Sequence, residues 1–211
     1  MIVTLDGPGG TGKSTVSRAV AARAGLPHLD TGAYYRAATL AVIRAGADPG
    51  DPEAAYRIVS RTSMDQEGDR MYLDGEDVST EIRGEAVTSA VSAVSAHPDV
   101  RELLVEMQRT WADEHGGGVV EGRDIGSVVF PDAEIKVFLD ASPEVRARRR
   151  ARETGERVED VLQNLERRDL LDSTRPTSPL MVPEGAVVLD TSNLPLEQVV
   201  EQLLELIEAK Y

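Results

Sequence analysis

The spacing of apolar positions changes in a regular order along the chain. Ile2-Val3-Thr4-Leu5-Asp6 is a short apolar run stopping at a glycine cluster, the pattern of a buried strand that feeds a turn. Lys13 to Ala24 follows with helix formers and with Val16 and Val20 four apart, ended by Gly25 and Pro27. His28-Leu29-Asp30 predicts a very short strand. Thr31 is expected to cap a helical run through Ala45, stopped by Gly46 and Pro49, and Asp51 to Arg61 predicts another helix. From Ser63 to Ser79 the helical spacing disappears. Turn pairs Glu67-Gly68 and Asp74-Gly75 flank Arg70-Met71-Tyr72-Leu73, which predicts a small β-rich insert built from hairpins over about 63–84. Helical spacing returns over Glu85 to Ala96 and, after Pro98, over Val100 to Ala112.

Gly116-Gly117-Gly118 is a break. Val119 to Glu121, Ile135 to Leu139 and Ala186 to Leu189 predict three further short strands. Leu196, Val199, Val200, Leu203, Leu204 and Ile207 form one apolar stripe on a last helix opened by Pro195. Short strands alternating with helices call for βαβ crossovers, and so for a parallel sheet covered on both faces. The expected architecture is one α/β domain over 1–211 with a small inserted lobe.

Composition narrows the function classes. The chain has 211 residues, 41% hydrophobic but only 4% aromatic, so Ala, Val, Leu and Ile must fill the core. Without cysteine there are no disulfides, no thiolate catalysis and no Cys-based metal sites. His28, His97 and His115 are scattered and read as structural or exposed. No apolar run approaches the roughly 18–20 residues of a membrane span, and the first residues lack a signal-peptide pattern. A cytoplasmic, monomeric protein is expected. Its 23 basic against 37 acidic residues give a charge of −14, which argues against nucleic-acid or anionic-membrane partners and leaves room for a small anionic ligand.

Gly7-Pro8-Gly9-Gly10-Thr11-Gly12-Lys13-Ser14 fits the phosphate-loop pattern GxxxxGK[ST], with a strand before it and a helix after it. Glycines let backbone N–H groups converge on a triphosphate, and the helix adds the positive end of its dipole. Lys13 would reach the β- and γ-phosphates of ATP, and the Ser14 hydroxyl would hold Mg²⁺. Gly7, Gly9 and Gly12 also satisfy GxGxxG, with Asp30 18 residues beyond Gly12, so a dinucleotide-binding oxidoreductase is the rival. That fingerprint does not call for Lys-Ser after its last glycine. Asp30 also runs into Thr-Gly-Ala-Tyr-Tyr-Arg, which places an Arg where a ribose should lie.

Among nucleotide-loop proteins, a GTPase should carry Asn-Lys-x-Asp, and a motor ATPase a strand ending in Asp-Asp or Asp-Glu; neither is found. Arginines instead mark strand and helix ends: Arg36, Arg101, Arg123, and Arg146, Arg148, Arg149, Arg150 and Arg152. A phosphoryl-transfer enzyme must hold two repelling anions in line and does so with cations. The Arg-dense stretch, over about 143–157, reads either as a lid closing over the transferred group or as a solvated basic face.

The phosphate loop, Asp30 to Arg36, Leu73 to Arg83, Glu121 to Ala133, and Arg168 with Arg175 together resemble bacterial cytidylate kinases, a P-loop nucleoside monophosphate kinase family. The resemblance implies a five-stranded parallel sheet flanked by helices, a lid, and a β-rich monophosphate lobe. It implies ATP and Mg²⁺, with CMP or dCMP as acceptor. Gly7 to Thr15 would hold ATP. Thr31, Ser92, Arg101 and Asp124 would surround the cytosine, with Tyr35 beside them. Arg36 and Arg123 would clamp phosphate, with Lys13 and Arg149 joining them in catalysis, and Arg168, Asp172 and Arg175 would contact sugar and phosphate. Asp-Thr-Gly stands here where the family often has Asp-Ser-Gly, and Glu121 where it often has Asp, which leaves position 121 unassigned. Read without the resemblance, Ser92 is an ordinary helix serine and Asp172 an i,i+3 partner of Arg175. A kinase for another small acceptor, such as shikimate, and a non-catalytic nucleotide-binding module are the competing functions.

Overall fold

In the computed structural model, which describes residues 1–210, the chain divides into two units. One is built from residues 1–29 and the chain from 112 onward, the other from residues 30–111.

The first unit is organised by β1 (Ile2–Asp6), whose residues 3–6 are buried because the strand lies in the middle of a sheet. It runs parallel to β6 (Gly118–Glu121) on one side and β7 (Ile135–Asp140) on the other. With β2 (His28–Asp30) and β8 (Val187–Asp190) the order is β2-β6-β1-β7-β8. The register pairs Leu5 with Glu121, Asp6 with Phe138 and Asp140 with Asp190, so the carboxyl ends of the strands lie along one edge. Ligands of open parallel sheets bind at that edge. α1 (Lys13–Ala24) and α8 (Leu196–Glu208) pack on the sheet through Val16, Val20, Val199, Val200, Leu203 and Ile207, which meet Val3, Leu5, Val119, Val137 and Leu139. Of the last-helix stripe read in the sequence, Val199, Val200, Leu203 and Ile207 make this contact and Leu204 packs at its edge, while Leu196, at the start of the helix, stays exposed. β8 is an edge strand, and its Val187 and Val188 stay exposed.

α6 (Pro143–Thr154) starts at a Ser142 cap and ends at left-handed Gly155; α7 (Val158–Thr174) packs on it through Ala147, Ala151, Val161 and Leu165. The sequence pattern does not separate α7 from its surroundings. Only Val161, Leu165 and Asp172 are buried along its 17 residues, too few for an apolar stripe. A π-helical turn, Ile125–Val129, follows β6 and is equally invisible to a 3.6-residue period.

The second unit holds α2 (Thr31–Arg44) and α3 (Pro52–Val59). The cap of α2 is not Thr31, which forms its first residue, but Asp30, whose carboxylate accepts the Ala33 N–H; α3 is capped by Asp51 with proline in its first turn. The expected insert is an antiparallel sheet of β3 (Met64–Glu67), β4 (Arg70–Leu73) and β5 (Glu76–Asp77). Asp74 and Gly75, at φ 50° and 82°, make its second turn. α4 (Glu85–Val94) and α5 (Pro98–His115) complete the helices, and α2 packs against α3, α4 and β4. Arg44 at the end of α2 holds Glu76 and Glu81 together. Among the described residues no helix is long and apolar enough to cross a membrane.

Candidate active site

The phosphate loop leaves β1 at Gly7, which has φ +145°; a Cβ there would lie 2.1 Å from the Leu139 carbonyl oxygen of the neighbouring strand. Only glycine permits that approach. With Gly10 and Gly12 also at positive φ, the loop curls back onto the first turn of α1. Its carbonyl groups are gathered by cations. Lys13 Nζ donates to the Gly7 and Pro8 carbonyls, 2.8 Å each, and Arg123 Nη1 to the Gly7 carbonyl at 2.8 Å. Arg146 Nη1 reaches the Gly9 carbonyl at 3.0 Å, and Arg149 Nη1 the Thr11 carbonyl at 3.2 Å and Thr191 Oγ1 at 3.0 Å.

This crowding of positive groups has an electrostatic cost. Burial, and next the Arg123 guanidinium, push the Lys13 ammonium down to about 7, against the pull of Glu121, Asp6 and Asp169. Burial and Arg123 likewise lower Arg168, although Asp172 and Asp169 favour its charge. Arg168 Nε is buried and has no hydrogen-bond partner among the described residues. Arg123 Nε lies 3.2 Å from Asp172, and Arg175 Nη2 3.5 Å from Asp124. Asp172 is therefore the partner of Arg123, across 49 residues of chain, and not simply an i,i+3 neighbour of Arg175, which lies just past the end of α7. Such a set of cations is relieved by an anion.

Beside the loop, Ser14 Oγ donates to Glu121 Oε2 at 2.8 Å and Ser17 Oγ to Glu121 Oε1 at 3.0 Å. His28 Nε2 is 2.9 Å from Ser17 Oγ and 3.2 Å from Glu121 Oε1. Burial works against the Glu121 charge, but His28, Lys13 and Ser14 outweigh it and hold the carboxyl below its ordinary range. A hydroxyl and a carboxylate oxygen in contact are hard oxygen donors of the kind Mg²⁺ takes, and too few to enclose it. Mg²⁺ characteristically keeps its remaining positions for phosphates and water. Among the described residues no group of three or more His, Cys, Asp or Glu is placed to hold a metal.

The second unit carries its own predicted residues. Thr31 is buried in the first turn of α2. Arg36 Nη1 donates to Thr88 Oγ1 at 3.1 Å and to the Ile82 carbonyl at 3.3 Å, tying α2 to α4. Arg101, 2% exposed, stacks its guanidinium 5.1 Å from the centre of the Tyr35 ring and donates to the Ser95 carbonyl. Ser92 is half-buried one turn away on α4.

Sequence reasoning missed several contacts. Arg146 is a buried anchor, donating to Gly9, to Ala141 and to Asp169, and Thr191 receives Arg149. Nothing local signals a pair such as Arg146 and Asp169, which lie on two helices. Glu121 did carry a signal, as an acid ending a strand opposite the phosphate loop. Its partners Ser17 and His28 show only once the sheet register is known.

A model of the family described as cytidylate kinase matches residues 3–209 of the chain. A protein named cytidylate kinase from Mycobacterium leprae is 52% identical over 215 residues, covering 100% of this chain and 96% of that protein. Another of the same name from Rhodococcus opacus is 53% identical over 213 residues, covering 97% and 93%. Among solved structures, shikimate kinase from Bacteroides thetaiotaomicron aligns with TM-score 0.51 and 18% identity over 99% of this chain and 98% of that one, a likeness of fold.

Proposed function

We propose, for a chain that belongs to the cytidylate kinase family, transfer of the γ-phosphoryl group of ATP to the 5′-phosphate of CMP or dCMP. The observation that carries the reading is the convergence of cations on the phosphate loop: Lys13 and Arg123 both donate to the Gly7 carbonyl, and burial together with the Arg123 charge works against the charged forms of Lys13 and Arg168, a cost that an anion would relieve. An acceptor phosphate oxygen forms a bond to the γ-phosphorus of ATP as the bond to the β,γ-bridging oxygen breaks, and ADP leaves. The acceptor is already anionic near neutral pH, so no strong base is needed. Catalysis then rests on positioning and charge neutralisation.

In this reading Lys13 exchanges the Gly7 and Pro8 carbonyls for the β- and γ-phosphates. Arg123 and Arg36 hold the acceptor phosphate, and Arg168, Asp172 and Arg175 its sugar and phosphate. Asp124 accepts the cytosine amino group, and the second unit contributes Arg101, Thr31 and Ser92, with Tyr35 under the Arg101 guanidinium, as its own base-contacting residues. Ser14 and Glu121 would hold Mg²⁺, which supplies charge neutralisation at the phosphates. Arg149, with the rest of the Arg-rich helix as a lid over about 143–157, steadies the loop that carries the donor. The enzyme is taken to act as a cytoplasmic monomer on mononucleotides, a choice of ligand that the net charge of −14 favours over nucleic acid.

Substitution at the base pocket tests the acceptor assignment. Asp124→Ala should narrow the preference for CMP over UMP by roughly 10-fold or more while leaving the KM for ATP near wild type. Equal loss with every monophosphate would refute base reading by Asp124.

A further inference from the structure

The reaction as derived gives Asp6 nothing to do, yet its side chain is fully enclosed, at 0% exposure, where β1 meets the phosphate loop. Its two carboxylate oxygens are both taken by backbone donors from one distant segment. Oδ1 accepts from the Ile125 N–H and Oδ2 from the Gly126 N–H, 2.7 Å each, across 119 and 120 residues of chain. Those residues open the π-helical turn and directly follow Arg123 and Asp124. A buried carboxylate is a costly way to satisfy two N–H groups unless its bidentate shape is itself required. The approach is also sterically set. A Cβ on Gly126 would lie 2.8 Å from Thr4 Oγ1 and 3.2 Å from Asp6 Oδ2, so the segment sits on β1 as closely as glycine allows.

Arg123 and Asp124 have side-chain partners elsewhere, in Gly7, Asp172 and Arg175. Their backbone is held from the C-terminal side by Asp6. We infer that Asp6 is a positioning residue for the acceptor site: by clamping the Ile125 and Gly126 N–H groups to the end of β1, it fixes Arg123 and Asp124 against the phosphate loop. The inference rests on the acceptor roles given above to Arg123 and Asp124. It makes one strand end the common reference for the loop that holds the donor and the segment that reads the acceptor.

Asp6→Asn tests it with little change of volume, because the amide keeps one acceptor and turns an NH₂ toward the other N–H. Steady-state kinetics with CMP, UMP and ATP are read beside hydrogen exchange of the Ile125 and Gly126 amides. The KM for CMP should rise by roughly 10-fold or more and the CMP-over-UMP preference should narrow. The KM for ATP should stay within about twofold, and the two amides should exchange faster. Gly126→Ala leaves Asp6 intact and crowds the same segment off it, so it should reproduce the split. It also decides the matter if the Asn variant does not fold. A wild-type KM for CMP in these variants, or equal rises in KM for CMP and ATP, would overturn the inference and leave Asp6 a purely structural acid. An Asp124→Ala enzyme that keeps full selectivity sinks the base-reading role, while the acceptor KM of Asp6→Asn still judges Asp6.

Discussion

Lys13 and Asp6 lie at the two ends of one short loop, and burial acts on them in opposite senses. It pushes the ammonium down to about 7 and the carboxyl up to about 6. For Asp6, burial comes first; the Gly126 and Ile125 N–H groups oppose it, Asp124 adds to it and Lys13 offsets part of it. A carboxyl whose folded pKa is raised contributes stability below its unfolded pKa that is lost as pH rises through the folded value. Between about pH 4 and 7, Asp6→Asn should therefore gain stability relative to wild type by on the order of 3 kcal/mol, measured by urea unfolding across that range. A pH-independent difference would contradict this account of Asp6. Lys13→Ala should lose roughly 10- to 150-fold in kcat in a coupled ADP assay, with an unchanged circular dichroism spectrum. At this scale the phosphate loop was legible in the sequence because its chemistry is contiguous. Asp6 was not, because a strand-end acid declares itself only when its donors, more than a hundred residues away, are in place.

Helices α6 and α7 show what anchors an element with almost no apolar face. Arg146 is 5% exposed and donates to Gly9 and Ala141 carbonyls and to Asp169. Truncating one partner of a buried ion pair leaves the other unpaired, so Arg146→Ala should cost about 3–5 kcal/mol of unfolding free energy in a urea titration. Arg152→Ala, on the exposed side of the same helix, should stay within about 0.5 kcal/mol. The sequence shows that Arg146, Arg149, Arg150 and Arg152 cannot all point one way along a helix. It does not show which one turns inward. The same limit governs the elements themselves. The strand at 2–6 was readable as a short apolar run between breakers, and those read at 119–121, 135–139 and 186–189 fall within one residue of the observed 118–121, 135–140 and 187–190; the insert was readable from its two turn pairs. α7 and the π-helical turn were not, because the first buries too few apolar side chains and the second has no familiar period.

For the molecule as a whole, the parallel register decides where chemistry can occur. It sets the carboxyl ends of β1 and β6 side by side, so the phosphate loop, Glu121, Arg123 and Asp124 share one edge. The fold is common to kinases of other acceptors, shikimate kinase among them, so architecture alone does not choose the substrate. The choice rests on the acceptor groups, and it is open to direct measurement. With ATP and Mg²⁺ present, ADP release should be followed with CMP, dCMP, UMP, AMP and shikimate offered in turn at equal concentration. The account predicts the highest kcat/KM with CMP or dCMP, lower values with UMP and AMP, and no turnover above background with shikimate. Turnover that is equal across the nucleotides, greater with AMP or UMP, or absent with all of them would contradict it.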